Sequence, residues 1–289
     1  MCSLVAPTSC EIGEGPLWHP DIETLLFLDI AAGVVHAYIE ATGECQIFSR
    51  GPVTGGMTLQ EDGNILLFQD GRISILRLDG TQHEVGTGYC PGNDRFNDVI
   101  ADGEGRVFAG TVGENGQLLL FERDGSVTKL LDGLGCPNGM GFTPDNKGMY
   151  LTDSVQRQIY LFDYDHKTGA LANRRTFIDI PKEIGAPDGM TVDAEGFVWT
   201  SLWFGGRVRR YAPDGRLDKE VCLPVKQPSA IVFGGADLKN IYVTTASSTT
   251  ADWMMPPRFD INATRGGGLY GFRIKGIEGR PLFRSRIHF

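Results

Sequence analysis

One frame returns along this chain at nearly constant spacing, and it leaves few folds open. Segments that begin at Glu14, Gly55, Asn97, Asn138, Asp188 and Ser229 follow one another at steps of 41, 42, 41, 50 and 41 residues. Two of them share a visible core, "PNGM" from Pro137 and "PDGM" from Pro187, differing only in amide against carboxylate. Each unit reads as an apolar strand, a turn rich in Asp or Asn with Gly, a second strand, and usually two more. A period of about 40–45 residues with four strands per unit is the pattern of a β-propeller. The chain is therefore expected to be all-β, a six-bladed β-propeller with four antiparallel strands per blade. It forms one domain over residues 1–289. A β-sandwich with accidental internal similarity is the competing fold, and six registers agreeing within a residue count against it. The long step contains "DYDHKTGALANRRTFIDIPKEIGA", which reads as an insertion. Either "SLVAPTS" near the start or "RPLFRSRI" near the end can supply the strand that closes the ring.

Turn chemistry agrees. The 39 Gly and 15 Pro are spread along the chain instead of pooled in a linker, and Asp-Gly pairs such as Asp62-Gly63, Asp79-Gly80 and Asp124-Gly125 separate apolar runs. No helix of any length is expected. The net charge of −9, without a basic cluster, argues against nucleic acid and anionic membranes as partners. No apolar run approaches the roughly 20 residues that span a bilayer, and no basic residue precedes an apolar stretch at the start. Six scattered Cys form no C-x-x-C pair. They read as reduced thiols of a cytoplasmic protein, monomeric or weakly homo-oligomeric, in which the sequon at Asn262 is a coincidence of spacing.

In a propeller the innermost strands line the axis, so equivalent residues of successive blades form a ring. Here that ring is Glu14, Gly55, Asn97, Asn138, Asp188 and Ser229. Its two carboxylates and two amide oxygens suit a hard divalent cation, and the absence of Cys and His speaks against a structural zinc site. The two small residues leave room on one side. Taken alone, Asn-Gly and Asp-Gly are ordinary turn pairs; the shared register is what makes them a candidate site. His19 reads as a packed strand residue. There is no G-x-S-x-G elbow and no H-E-x-x-H motif.

"EGPLWHP", "RFNDVIADGEGRVFAGT", "CPNGMGFTPD" and "APDGMTVDAEGFVWTSLW" closely resemble the senescence-marker-protein (regucalcin), gluconolactonase and luciferin-regenerating-enzyme family, in order and over nearly the whole chain. The resemblance implies a six-bladed propeller holding one divalent metal at its axis, calcium first, with zinc, manganese or magnesium as alternatives. It implies hydrolysis of a small sugar lactone, such as gluconolactone, to the aldonic acid. It assigns Glu14, Asn138 and Asp188 to the metal, Asp188 also to acid–base catalysis, and Arg95, Asn97 and Glu114 to the substrate. In that mechanism the metal polarises the lactone carbonyl while Asp188 takes a proton from water and returns it to the departing ring oxygen. Either Asp188 binds metal through one oxygen and water through the other, or the metal itself acidifies the water.

Several side chains carry two readings. Arg95 either donates to lactone hydroxyls or pairs with Asp94 or Asp98 on a loop. Trp18, Trp203 and Phe204 either wall the pocket or pack between blades. Residues 249–259 either cap the site or form a surface loop. Arg157 and Arg207, if both face the mouth, favour an acidic sugar. As a whole the chain reads as a lactonase. A calcium-binding regulatory propeller without essential turnover, or a hydrolase of another ester, is the alternative.

Overall fold

A computed structural model describes residues 2–90, 92–248 and 251–289. It contains six four-stranded antiparallel sheets arranged as the blades of a propeller. The innermost strands are Gly13–His19, Thr54–Leu59, Asn93–Ala101, Pro137–Phe142, Ala186–Val192 and Pro228–Gly234. Blades 1 to 5 are continuous in sequence. Blade 6 takes its outermost strand from the other end of the chain: Ser3–Ala6 pairs antiparallel with Leu269–Phe272. Of the two candidate closing segments, "SLVAPTS" therefore does the work. "RPLFRSRI" runs across the opposite end of the barrel instead. Ser285 N–H donates to the Leu59 carbonyl and Arg286 N–H to the Gly105 carbonyl, each at 2.8 Å. The long step between blades 4 and 5 becomes a longer hairpin, with a nine-residue fourth strand, Leu171–Asp179, and a loop that leads to Ala186. Among the described residues the one helical turn is Asp252–Met254.

Burial falls outward along each blade, as the sequence patterning requires. Second strands such as Thr24–Asp29 and Val198–Trp203 are buried at every position because blades cover both faces. Fourth strands such as Glu44–Arg50 and Leu217–Cys222 face solvent with half of their residues or more. The core is a circuit of inter-blade clusters in place of one central mass. Leu17, Leu28, Met57 and Leu67 join blades 1 and 2; Phe68, Phe96 and Phe121 join blades 2 and 3; Trp199, Phe233 and Val243 join blades 5 and 6. Edge-to-face rings, such as Phe68 on Phe96 at 5.3 Å, add directionality to that apolar burial.

The arrangement fixes two ends. One, which we call the mouth, collects the residues that precede each inner strand and residues 251–268 of blade 6. The other collects turns such as Asp62-Gly63, Asp79-Gly80 and Asp124-Gly125 and is closed by the C-terminal segment. Between the ring and that segment lies an axial cavity of about 140 Å³, lined by Met57, Met140, Met190 and Asp98 and capped by Arg280–Phe283.

Candidate active site

Every inner strand breaks its pairing register at or just after the ring position. The shifts fall between Glu14 and Leu17, Thr54 and Gly56, Phe96 and Val99, Pro137 and Met140, Pro187 and Met190, and Pro228 and Ile231. A β-bulge re-aims one side chain out of the pleat. Six of them recur at one level of the barrel, which gives the sequence frame its structural meaning.

Glu14, Asn97, Asn138 and Asp188 are all buried at this level, each less than a tenth exposed. Glu14 Oε2 accepts its neighbour Gly15 N–H at 2.8 Å. The Asn138 amide nitrogen contacts Asp188 Oδ1 directly and donates to Ser154 Oγ at 3.2 Å. Asn97 is gripped from both sides: its Nδ2 donates to the Pro137 carbonyl at 2.9 Å, and its Oδ1 accepts Arg95 Nη1 at 2.8 Å. Arg95 Nη1 also donates to the Phe96 carbonyl at 2.7 Å. Among the described residues Arg95 makes no ion pair with Asp94 or Asp98, and its Nε and Nη2 have no protein acceptor.

The two small ring members play other parts than leaving room. A Cβ on Gly55 would lie 1.9 Å from the Phe96 carbonyl oxygen and 3.0 Å from Arg95 Nη1. Glycine is required there because blade 3 presses in, and the guanidinium fills the space. The Ser229 hydroxyl donates to the Gly13 carbonyl at 2.5 Å and staples blade 6 to blade 1.

Electrostatically the ring holds more acid than the protein balances. Burial raises the pKa of Glu14 well above the ordinary carboxylate range, and the charges of Asp188 and Asp98 raise it further. Asp188 is raised in the same way, by burial first and then by Asp98. Asp98, half-buried on the axial cavity one residue after Asn97, is pushed up to about 7 by burial. Arg95 is the one cation that opposes all three. The set offers hard oxygen donors with excess negative charge in a dry site, which is the donor chemistry of a calcium-like ion. Among the described residues no group of three or more His, Cys, Asp or Glu is disposed to hold a metal; the ring combines two such carboxylates with an amide.

Other expectations resolve unevenly. Glu114 is exposed in the short turn after Val107–Gly113, at the mouth end beside the Arg95–Val112 pair, and contacts none of the ring residues. Trp203 and Phe204 lie at the mouth in one apolar cluster with Ala186, Ala246 and Met254. Trp18 belongs to the packing between blades 6 and 1, so its reading as a pocket wall is corrected. His19 is fully buried and bonded to the Gly63 carbonyl, as a packed strand residue should be. Arg157 donates to the Gly185 and Met254 carbonyls at 2.5 and 2.6 Å, and Arg207 is tied to Gly205 and Glu220. Both guanidiniums are engaged by the protein, Arg157 by backbone carbonyls and Arg207 by a carbonyl and a carboxylate. Of the 249–259 segment, Thr249 and Thr250 lie outside the described residues, as does the Trp253 side chain. The rest packs over the mouth, with Phe259 against Phe204 at 4.9 Å.

The sequence reading missed the residues that hold the ring in place. Asp29 accepts the N–H groups of Glu11 and Ile12 at 3.0 and 3.2 Å, just before Glu14. Asp153, at the matching position of blade 4, accepts those of Gly135 and Cys136 at 2.9 and 3.1 Å, just before Asn138. Their signal was present: both carboxylates close an apolar second strand, "LFLD" and "MYLTD".

A family model described as SMP-30/Gluconolactonase/LRE-like region matches residues 12–247. Pentonolactonase XacC of Haloferax volcanii is 39% identical over 287 residues, covering 98% of this chain and 97% of that protein. Regucalcin of Xenopus laevis is 33% identical over 292 residues, covering 94% and 95%. A crystal structure described as a calcium-binding protein, regucalcin, from Agrobacterium tumefaciens superposes with a TM-score of 0.87 at 25% identity, covering 98% and 97%.

Proposed function

This chain belongs to the SMP-30/gluconolactonase/LRE-like family, and from that premise we propose that it hydrolyses an aldonolactone to the open aldonic acid with the help of one divalent cation. The observation that carries this reading is the convergence of Glu14, Asn138 and Asp188 at the bulges of three inner strands, beside an Arg95 whose remaining donors are free. Glu14, Asn138 and Asp188 would hold the cation, calcium first, by their oxygens. When bound, it supplies positive charge that polarises the lactone carbonyl and offsets the buried acids.

The chain's own residues do the rest. Asp188 is a carboxylate whose burial raises its affinity for a proton, and kept ionised beside the cation it would act as the general base. It accepts a proton from the attacking water as the new carbon–oxygen bond forms. The carbon–ring-oxygen bond then breaks, and Asp188 returns that proton to the departing oxygen, which becomes a hydroxyl. Asn138, matched to Asp188 in frame but neutral, can donate or accept hydrogen bonds without taking part in proton transfer. Arg95, anchored through Nη1, offers Nε and Nη2 to substrate hydroxyls and keeps Asn97 in place. Glu114 stands at the mouth as a further substrate contact.

A calcium-binding propeller without turnover is the second reading, suggested by the description of the Agrobacterium structure. A half-buried Arg95 with Nε and Nη2 left unpaired favours the enzyme, since holding an ion does not call for a guanidinium. A pH-stat panel of pentono- and hexonolactones, run with and without chelator, tests the choice. Chelator-sensitive hydrolysis of at least one of them is expected. Failure on every aldonolactone at every metal supplied would leave the binding protein.

A further inference from the structure

The strand next to the ring carries a second circle of residues at the mouth. In blade 4, Ser154 lies across from Cys136 and its hydroxyl accepts the Asn138 amide at 3.2 Å. Trp203 holds the same place in blade 5, paired with Ala186, two residues before Asp188. Blades 1 and 6 have Ile30 and Ala246 there, next to Gly13–Asp29 and Pro228–Thr245 pairs that match Pro137–Asp153. This register position touches the ring level, and blade 5 fills it with an indole.

Trp203 is 6% exposed. Its apolar companions at the mouth are Ala186, Phe204, Ala246 and Met254. The Trp203 Nε1–H is buried with no acceptor among the described residues. The buried Trp199 of the same strand differs: its Nε1 donates to Asp193 Oδ2 at 3.0 Å. A buried donor without a partner is disfavoured, and one set at the register that in blade 4 reaches the ring is satisfied when a ligand seated there brings the acceptor. We infer that Trp203 is a specificity residue, whose indole N–H donates to a hydroxyl of a polyhydroxylated lactone bound against Asp188. The inference rests on the lactonase reading for the identity of that ligand. It gives the apolar wall of the mouth a directed donor of its own beside those of Arg95: the sugar ring's carbon face packs on the aromatic surface, and a hydroxyl occupies the N–H.

The test uses the full chain, metal-loaded. Its four tryptophans give four indole N–H resonances in a nitrogen-15 spectrum, and Trp203→Phe identifies one by its loss. Sodium gluconate, the hydrolysis product of gluconolactone, should shift that resonance most. Trp203→Phe should lower kcat/KM for gluconolactone by about tenfold and leave δ-valerolactone, which has the same ring without hydroxyls, nearly unchanged. An unmoved resonance, or equal losses on both lactones, overturns the inference. The spectrum needs no turnover, so the two readings fail separately. A shifted resonance in a protein that hydrolyses no lactone keeps the donor and removes the enzyme. Normal hydrolysis with an unmoved resonance removes the donor alone.

Discussion

The distinction that matters most in this molecule is a single atom pair: the amide of Asn138 against the carboxylate of Asp188, in the same frame of adjacent blades. Only the carboxylate can cycle a proton. Asp188→Asn should therefore keep the fold and lower kcat by about two to four orders of magnitude, checked by initial rates alongside the metal content of the same preparation. Near-normal turnover would remove the base from the mechanism. Arg95→Met retains the stem but deletes the donors, and a rise in KM for hydroxylated lactones of roughly tenfold is expected, read by steady-state kinetics. The acids also set a pH dependence. Asp98 titrates at about 7 in the folded chain against an ordinary 3.8. The folded state thus holds its proton longer than the unfolded chain does. The stability this contributes is complete below 3.8 and is lost as pH rises through about 7. Glu14 and Asp188 act in the same direction. The Tm of chelator-treated protein should fall across that window, and Asp98→Asn should flatten the fall. A flat profile in the unaltered chain would contradict it.

Among the elements, the inner strand explains what the sequence frame could and could not reveal. The repeat located all six inner strands because strand period and Asp-Gly turns are local signals. It aligned Glu14, Asn97, Asn138 and Asp188 because equivalent places in a closed ring must share a register. What it could not disclose was why glycine follows Asp188. A Cβ on Gly189 would lie 2.4 Å from the Cβ of Ala230 and 2.6 Å from its Cα, on the inner strand of the next blade. That approach is made by residues some 40 positions away in sequence, so no local pattern records it. Gly189→Ala should cost about 1–3 kcal/mol and lower Tm by several degrees, seen in a thermal melt; an unchanged Tm would mean the strands can part freely. Asp29 and Asp153 were overlooked for a related reason. An acid at the end of an apolar strand looks like a surface residue until the preceding segment folds back and offers its N–H groups. Likewise, Arg157 and Arg207 looked like free cations because sequence does not show which carbonyls will meet them.

At the level of the whole molecule, the ring of blades is closed by four residues from one end of the chain and strapped at one end of its axis by the other terminus. Deleting Ser3–Ala6 exposes the edge of Leu269–Phe272, and a lowered, concentration-dependent Tm with aggregation is expected. The same closure concentrates charge. The blades bring three acids and one guanidinium together near the axis, so a cation bound there would stabilise the folded chain. Fold class and ring were legible because both follow from repetition; the mouth was not, since residues 251–268 and the Trp203 wall occur in single blades and repeat nowhere. The central claim is that this one ring, loaded with one ion, opens a sugar lactone. Titrating chelated protein with calcium while following gluconolactone and pentonolactone hydrolysis tests it most directly. Activity should rise from baseline and level off at one ion per chain. Full activity without any ion, or no hydrolysis at any occupancy with calcium, manganese, magnesium or zinc, would contradict it.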